Sequence, residues 1–178
     1  MKKITFIISL LALTFSYAQR PISYSFALNT TFMINENFGE YDNYTDETDW
    51  SILAPNAILF RNGLDVELNK IVSAGFKIGL DWHPDFDLLA IPYFIDTKVN
   101  LVRNDNDKFY IGGGVGKLLK LSDVFERGKY YKLGVGYEIS TSDKGSVLVN
   151  LDFHQKQILE FENGRLNSLS FGLGYLFL

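Results

Sequence analysis

From Ile22 to the carboxyl terminus, hydrophobic side chains recur at almost every second position, and turn residues break the pattern at intervals. That period belongs to β-strands, in which successive side chains point to opposite faces. The breaks delimit eight strands, over residues 22–34, 51–68, 71–82, 88–103, 108–120, 129–140, 146–158 and 167–178, and no helical periodicity competes with them. Past the amino terminus no apolar run approaches the roughly 20 residues that a membrane helix needs. A chain of this kind crosses a bilayer only as a closed barrel, because closure leaves no backbone polar group unbonded in hydrocarbon. The expected fold is therefore all-β, an eight-stranded antiparallel up-and-down transmembrane barrel formed by residues 19–178 as one domain.

The connections alternate in length. After the first, third, fifth and seventh strands come residues 35–50, 83–87, 121–128 and 159–166, whereas 69–70, 104–107 and 141–145 follow the second, fourth and sixth. Short periplasmic turns opposite longer external loops, with both termini at the periplasmic end, are the expectation for a transmembrane barrel.

Each strand has one apolar and one polar phase. The apolar phase includes Leu28, Phe60, Phe76, Ile95, Val115, Leu133, Leu151 and Phe171. The other phase carries Arg61, Asp65, Glu67, Lys77, Asp81, Asp96, Lys98, Lys132, Glu138, Asp152 and Lys156, with Gly75, Gly79, Gly112, Gly114, Gly134, Gly136, Gly172 and Gly174 among them. A solvent-facing surface has little reason to be so rich in glycine, whereas a narrow lumen must alternate small and large side chains. The apolar phase is accordingly expected to face lipid. The charges, five basic against six acidic, are expected to form a lumen network of ion pairs in place of an open pore, with long side chains reaching across toward glycine-lined wall. Aromatic belts at the two membrane interfaces are expected from Tyr24, Phe26, Phe109, Tyr137, Tyr175 and Phe177 at the periplasmic rim, and from Phe32, Trp50, Trp82 and Tyr131 at the opposite rim.

The first 18 residues read as a signal peptide. Lys2 and Lys3 precede an apolar stretch from Ile4 to Leu13, and Ser16-Tyr17-Ala18 offers a small-x-small site with cleavage after Ala18. The chain has 17 basic and 21 acidic residues. Loss of the two signal lysines leaves 15 against 21, a formal charge of −6, which disfavours nucleic acid as a partner. There is no cysteine, hence no disulfide scaffold and no thiolate metal site.

Few residues carry recognisable chemistry. His154 shares its face with Asp152, and His83 opens an external loop near Asp85 and Asp87. These make weak acid-base candidates, and no serine stands beside them by motif. The run Gly112-Gly113-Gly114-Val115-Gly116-Lys117 lacks the spacing of a phosphate loop, since Ile111 stands where its first glycine belongs. The acidic loop residues Glu36, Glu40, Asp42, Asp46, Glu47 and Asp49 follow no calcium-loop spacing, and Asn43-Tyr44-Thr45 matches a glycosylation triplet. Pro92, inward on the fourth strand, marks an irregularity in the wall. No cofactor is expected.

The short signal, the up-and-down strands, the segments Leu133-Gly134-Val135-Gly136-Tyr137 and Phe171-Gly172-Leu173-Gly174-Tyr175, and the apolar last strand together resemble the small outer-membrane β-barrel superfamily, the barrels of OmpA and OmpX type. The resemblance covers the whole mature chain. It implies export, residence in outer-membrane lipid and assembly by the barrel-assembly machinery from the periplasm. The terminal signal of such proteins ends on an aromatic residue, whereas here Leu178 follows Phe177. Some members are lipid-modifying hydrolases or acyltransferases that use a histidine with a serine and an acid. The resemblance implies no single function, and it leaves the extracellular partner unknown. The expected role is structural or surface-interacting. A lipid-modifying enzyme and a soluble periplasmic ligand-binding barrel stand as alternatives.

Overall fold

The computed structural model describes residues 22–34, 41–42, 47–48, 53–84, 88–104, 107–119, 127–142, 145–158 and 164–177. The signal segment, Trp50 and Leu178 lie outside them. Ten strands follow in chain order: β1 (Ser23–Ile34), β2 (Tyr41–Asp42), β3 (Glu47–Thr48), β4 (Leu53–Glu67), β5 (Val72–His83), β6 (Leu88–Asn104), β7 (Asp107–Leu119), β8 (Gly128–Ser142), β9 (Gly145–Ile158) and β10 (Leu166–Phe177). β1 and β4 to β10 form a closed antiparallel barrel in which each strand pairs with its neighbours in sequence and β1 closes against β10. The eight-stranded up-and-down fold read from the sequence is thus observed, with strand ends within two residues of those expected. One addition lies in the first long connection, where β2 and β3 pair as a small separate ribbon.

The turn between β4 and β5 shows why short connections suffice. The Asn69 carboxamide oxygen accepts from the amides of Ile71 and Val72 at 2.8 and 2.7 Å, and Leu68 N donates to Val72 O at 3.0 Å. An Asx side chain thereby reverses the chain with almost no loop. At the opposite end, Gly164 takes the left-handed conformation (φ 62°) ahead of β10.

Burial is inverted relative to a water-soluble protein. Leu133 is 67% exposed, Val115 61% and Ile95 60%, while Asp81 and Lys156 are wholly buried. The interior is layered along the barrel axis. At the long-loop end an apolar cluster of Leu88, Ala90, Phe94, Leu118, Tyr130, Ile158 and Leu166 fills the mouth. These residues take the inward phase where both phases are apolar, as in Leu88-Leu89 and Leu118-Leu119. Charged layers lie below.

The glycines correct one expectation. Several of the long side chains do not reach across to a glycine-lined wall but lean over the glycine directly beside them. Arg61 is the cross-strand partner of Gly79, Asp65 of Gly75, Lys77 of Gly63, Asn29 of Gly172 and Asp152 of Gly134. A Cβ at Gly79 would meet Arg61 Nη1 and Phe60 O at 2.5 Å. Large and small alternate across these strand pairs because an eight-stranded lumen is only wide enough for side chains to fill.

Candidate functional site

The lumen gathers most of the chemistry-bearing residues. In the layer beneath the apolar mouth, Arg61 on β4 pairs with Asp81 on β5, and Lys156 on β9 reaches the other oxygen of Asp81 at 2.7 Å. Lys156 Nζ also donates to His83 Nε2 at 2.6 Å, which leaves the His83 proton on Nδ1, 3.1 Å from Asn56 Oδ1. His83 does not open an external loop. Trp82 points outward, so strand alternation turns His83 inward, where it is fully buried. Asp85 and Asp87 lie outside the described residues.

A second chain of hydrogen bonds starts at the same arginine. Arg61 Nη2 donates to the Tyr130 hydroxyl at 3.3 Å, and Tyr130 lies 2.6 Å from His154 Nδ1. Arginine only donates, so the tyrosine oxygen accepts there; with His154 protonated at Nε2 the tyrosine gives its own proton to Nδ1. In that tautomer His154 Nε2 donates to Ser170 Oγ at 2.7 Å, and Ser170 donates onward to the Asp152 carbonyl at 3.4 Å. Sequence reading places Asp152 beside His154 as an acid partner. Its carboxylate instead faces Lys132 at 3.8 Å, because residues two apart on a strand sit side by side while the cross-strand neighbours fill the space between. The guanidinium of Arg61 also stacks over Tyr130 (5.6 Å) and Phe94 (6.0 Å).

Three further pairings occupy the lower lumen. Lys132 on β8 spans to Asp96 on β6 at 3.0 Å. Asp65 binds Lys77 directly and Lys98 at 3.8 Å, while Lys77 also bonds Ser25. At the short-turn mouth Lys108 bridges Glu67 at 3.1 Å and Glu138 at 3.5 Å. Lys108 is absent from the sequence-derived network, although Phe109 and Ile111 outward imply Lys108 inward. With it the interior among the described residues holds six basic and six acidic side chains, so the charges balance. Tyr130 and Asn56 are likewise missing from the sequence reading, which puts Ser170 on the inward phase without a partner, since period two tells which face a residue occupies and not which strand it meets.

On the outer face, Tyr24 lies opposite Phe177, Phe26 opposite Tyr175 and Phe109 opposite Tyr137, all at the short-turn rim. Phe32, Trp82 and Tyr131 lie toward the other rim. Phe60, Phe76, Phe153 and Phe171 are also exposed between them, so aromatics are enriched at the rims without being confined there. Among the described residues no group of acids and histidines has metal-binding geometry. Pro92 opposes Leu118 on β7, but the β5–β6 ladder lapses opposite Ile91 and Pro92, where proline has no amide to donate.

A closed antiparallel barrel with an apolar exterior and an ion-paired interior is the architecture of a small transmembrane β-barrel. Solved structures of that architecture are similar to this chain. The N-terminal β-barrel domain of Pseudomonas aeruginosa OprF matches with a TM-score of 0.54 at 13% identity, over 88% of this chain and 96% of that one. Ail, the attachment invasion locus protein of Yersinia pestis, matches with a TM-score of 0.42 at 11% identity, over 88% and 95%. At such identities the likeness is one of fold. No protein-family model matches the sequence, and no curated protein matches it.

Proposed function

We propose that the protein is an integral outer-membrane barrel with a structural or surface-interaction role, its lumen closed by ion pairs, with neither an open pore nor a catalytic centre. The observation that carries this reading is the inversion of burial: Asp81 and Lys156 are sealed from solvent while Leu133, Val115 and Ile95 stand outward. A soluble barrel would strand that apolar surface in water. Support for a closed lumen comes from the small size of two cavities among the described residues, about 40 Å³ around Lys98, Lys132 and Asp152 and about 30 Å³ around Lys108 and Glu138. At roughly 10–15 Å³ per water, each holds only a few molecules.

The His154–Ser170 contact favours an enzyme only at first sight. A serine nucleophile needs a path for its substrate, and the 2.7 Å contact between His154 Nε2 and Ser170 Oγ lies beneath the apolar mouth. Both side chains are buried in the lumen, on the opposite side of the wall from membrane lipid.

Cell fractionation with heated and unheated gel samples tests the location. Recovery only with detergent, and a mobility shift on boiling, are expected; extraction into the aqueous fraction overturns the reading. In planar bilayers no conductance steps are expected. Outer-membrane lipid from a deletion strain is expected to be unchanged by mass spectrometry, and a missing acyl modification would restore the enzyme alternative.

A further inference from the structure

The outward phase of the barrel strands is almost free of charge, and its exceptions are placed tellingly. Asp107 begins β7 at the short-turn rim, where Ser140 N at 2.9 Å and the Tyr137 hydroxyl at 3.5 Å satisfy its carboxylate. The remaining two among the described residues are both lysines, Lys117 on β7 and Lys129 on β8, and they are direct cross-strand partners. Both are exposed, both lie near the long-loop rim, and no carboxylate among the described residues pairs with either. Tyr93 stands opposite Lys117 on its other side and Gln157 opposite Lys129, so hydrogen-bonding side chains flank the pair. Arg127, also exposed, precedes β8 at the same rim.

Like charges directly opposite each other on adjacent strands destabilise a sheet. Snorkelling alone explains a lysine near an interface, but it does not explain two side by side on a wall with free choice of eight strands. Two ammonium groups on cross-strand neighbours, at the height where hydrocarbon gives way to headgroups, complement one compact anion of high charge. We propose that Lys117 and Lys129 form a docking site for the phosphomonoester headgroup of a lipid in the leaflet on the long-loop side, with its acyl chains against the adjoining wall at Val115 and Leu133. The inference rests on the reading that this wall faces lipid.

The test uses the full-length folded protein in phosphatidylcholine nanodiscs doped with phosphatidic acid, with retained lipid counted by native mass spectrometry. A mobility shift on boiling is checked first, so that failure of membrane insertion is seen separately from failure of the site. Wild type is expected to retain one phosphatidic acid. The Lys117→Gln/Lys129→Gln pair is expected to bind it roughly thirtyfold more weakly, as two surface lysines facing anionic lipid imply, and Lys117→Arg/Lys129→Arg to keep it. Lys117→Glu, which creates an ion pair with Lys129, is expected to abolish retention while raising thermal stability in undoped discs, so loss of binding is not loss of fold. Undiminished binding by the double glutamine variant overturns the proposal. Equal retention of diacylglycerol, or displacement by inorganic phosphate, overturns it as well.

Discussion

Asp81 is the residue on which the lumen turns, since it alone holds both Arg61 and Lys156. Removing one member of a buried network leaves the others uncompensated, at about 3–5 kcal/mol. Asp81→Asn is expected to lower the urea midpoint of the folded form on gels accordingly, and Lys156→Met in the same background to recover part of it; an unchanged midpoint would mean that water, and not Asp81, balances these cations. The glycines make a complementary prediction. Gly79→Ala forces a Cβ against Arg61 and a carbonyl that cannot move, so a loss of about 1–3 kcal/mol from overpacking is expected by the same assay. At this scale the sequence was half informative. Parity placed Arg61, Asp81 and Lys156 inside, and applied strictly it also places Lys108, Tyr130 and His83 there. Partnership was illegible, because Tyr130 and His154, or Lys156 and His83, meet only once the register is known.

The strands themselves were readable to within two residues because a wall that is lipid on one side and packed charge on the other enforces alternation without exception for a dozen positions. The long-loop ends were harder. There both phases become apolar, as at Leu118-Leu119, and the pattern no longer says which side chain plugs the mouth. The β2–β3 ribbon was invisible, as two-residue strands carry no period. Two predictions belong to elements. Leu133→Arg on β8 introduces a charge into the lipid-facing wall and is expected to destabilise by about 2–4 kcal/mol in bilayers, measured by reversible unfolding in vesicles. The lapse in the β5–β6 ladder beside Pro92 is expected to make whichever of the Gly79 and Leu80 amides points toward β6 exchange with deuterium faster than the amide of Gly75 or Phe76 that points the same way, as followed by NMR; uniform protection along β5 would show the seam to be sealed.

For the molecule as a whole, the inverted burial carries the membrane reading, and the sequence anticipated it from the glycines on the charged phase. What neither composition nor period supplied is a task. The long connections lie largely outside the described residues, and on rigid scaffolds such loops carry specificity.

The pairing across the lumen bears on how the barrel is made. Lys156 and His83 are 73 residues apart, and Asn29 meets Ser170 over 141. β9 inserted without β5 would carry Lys156 into hydrocarbon without Asp81, and unpaired charge is expensive there. For such strands insertion is therefore expected to be coupled to closure of the barrel.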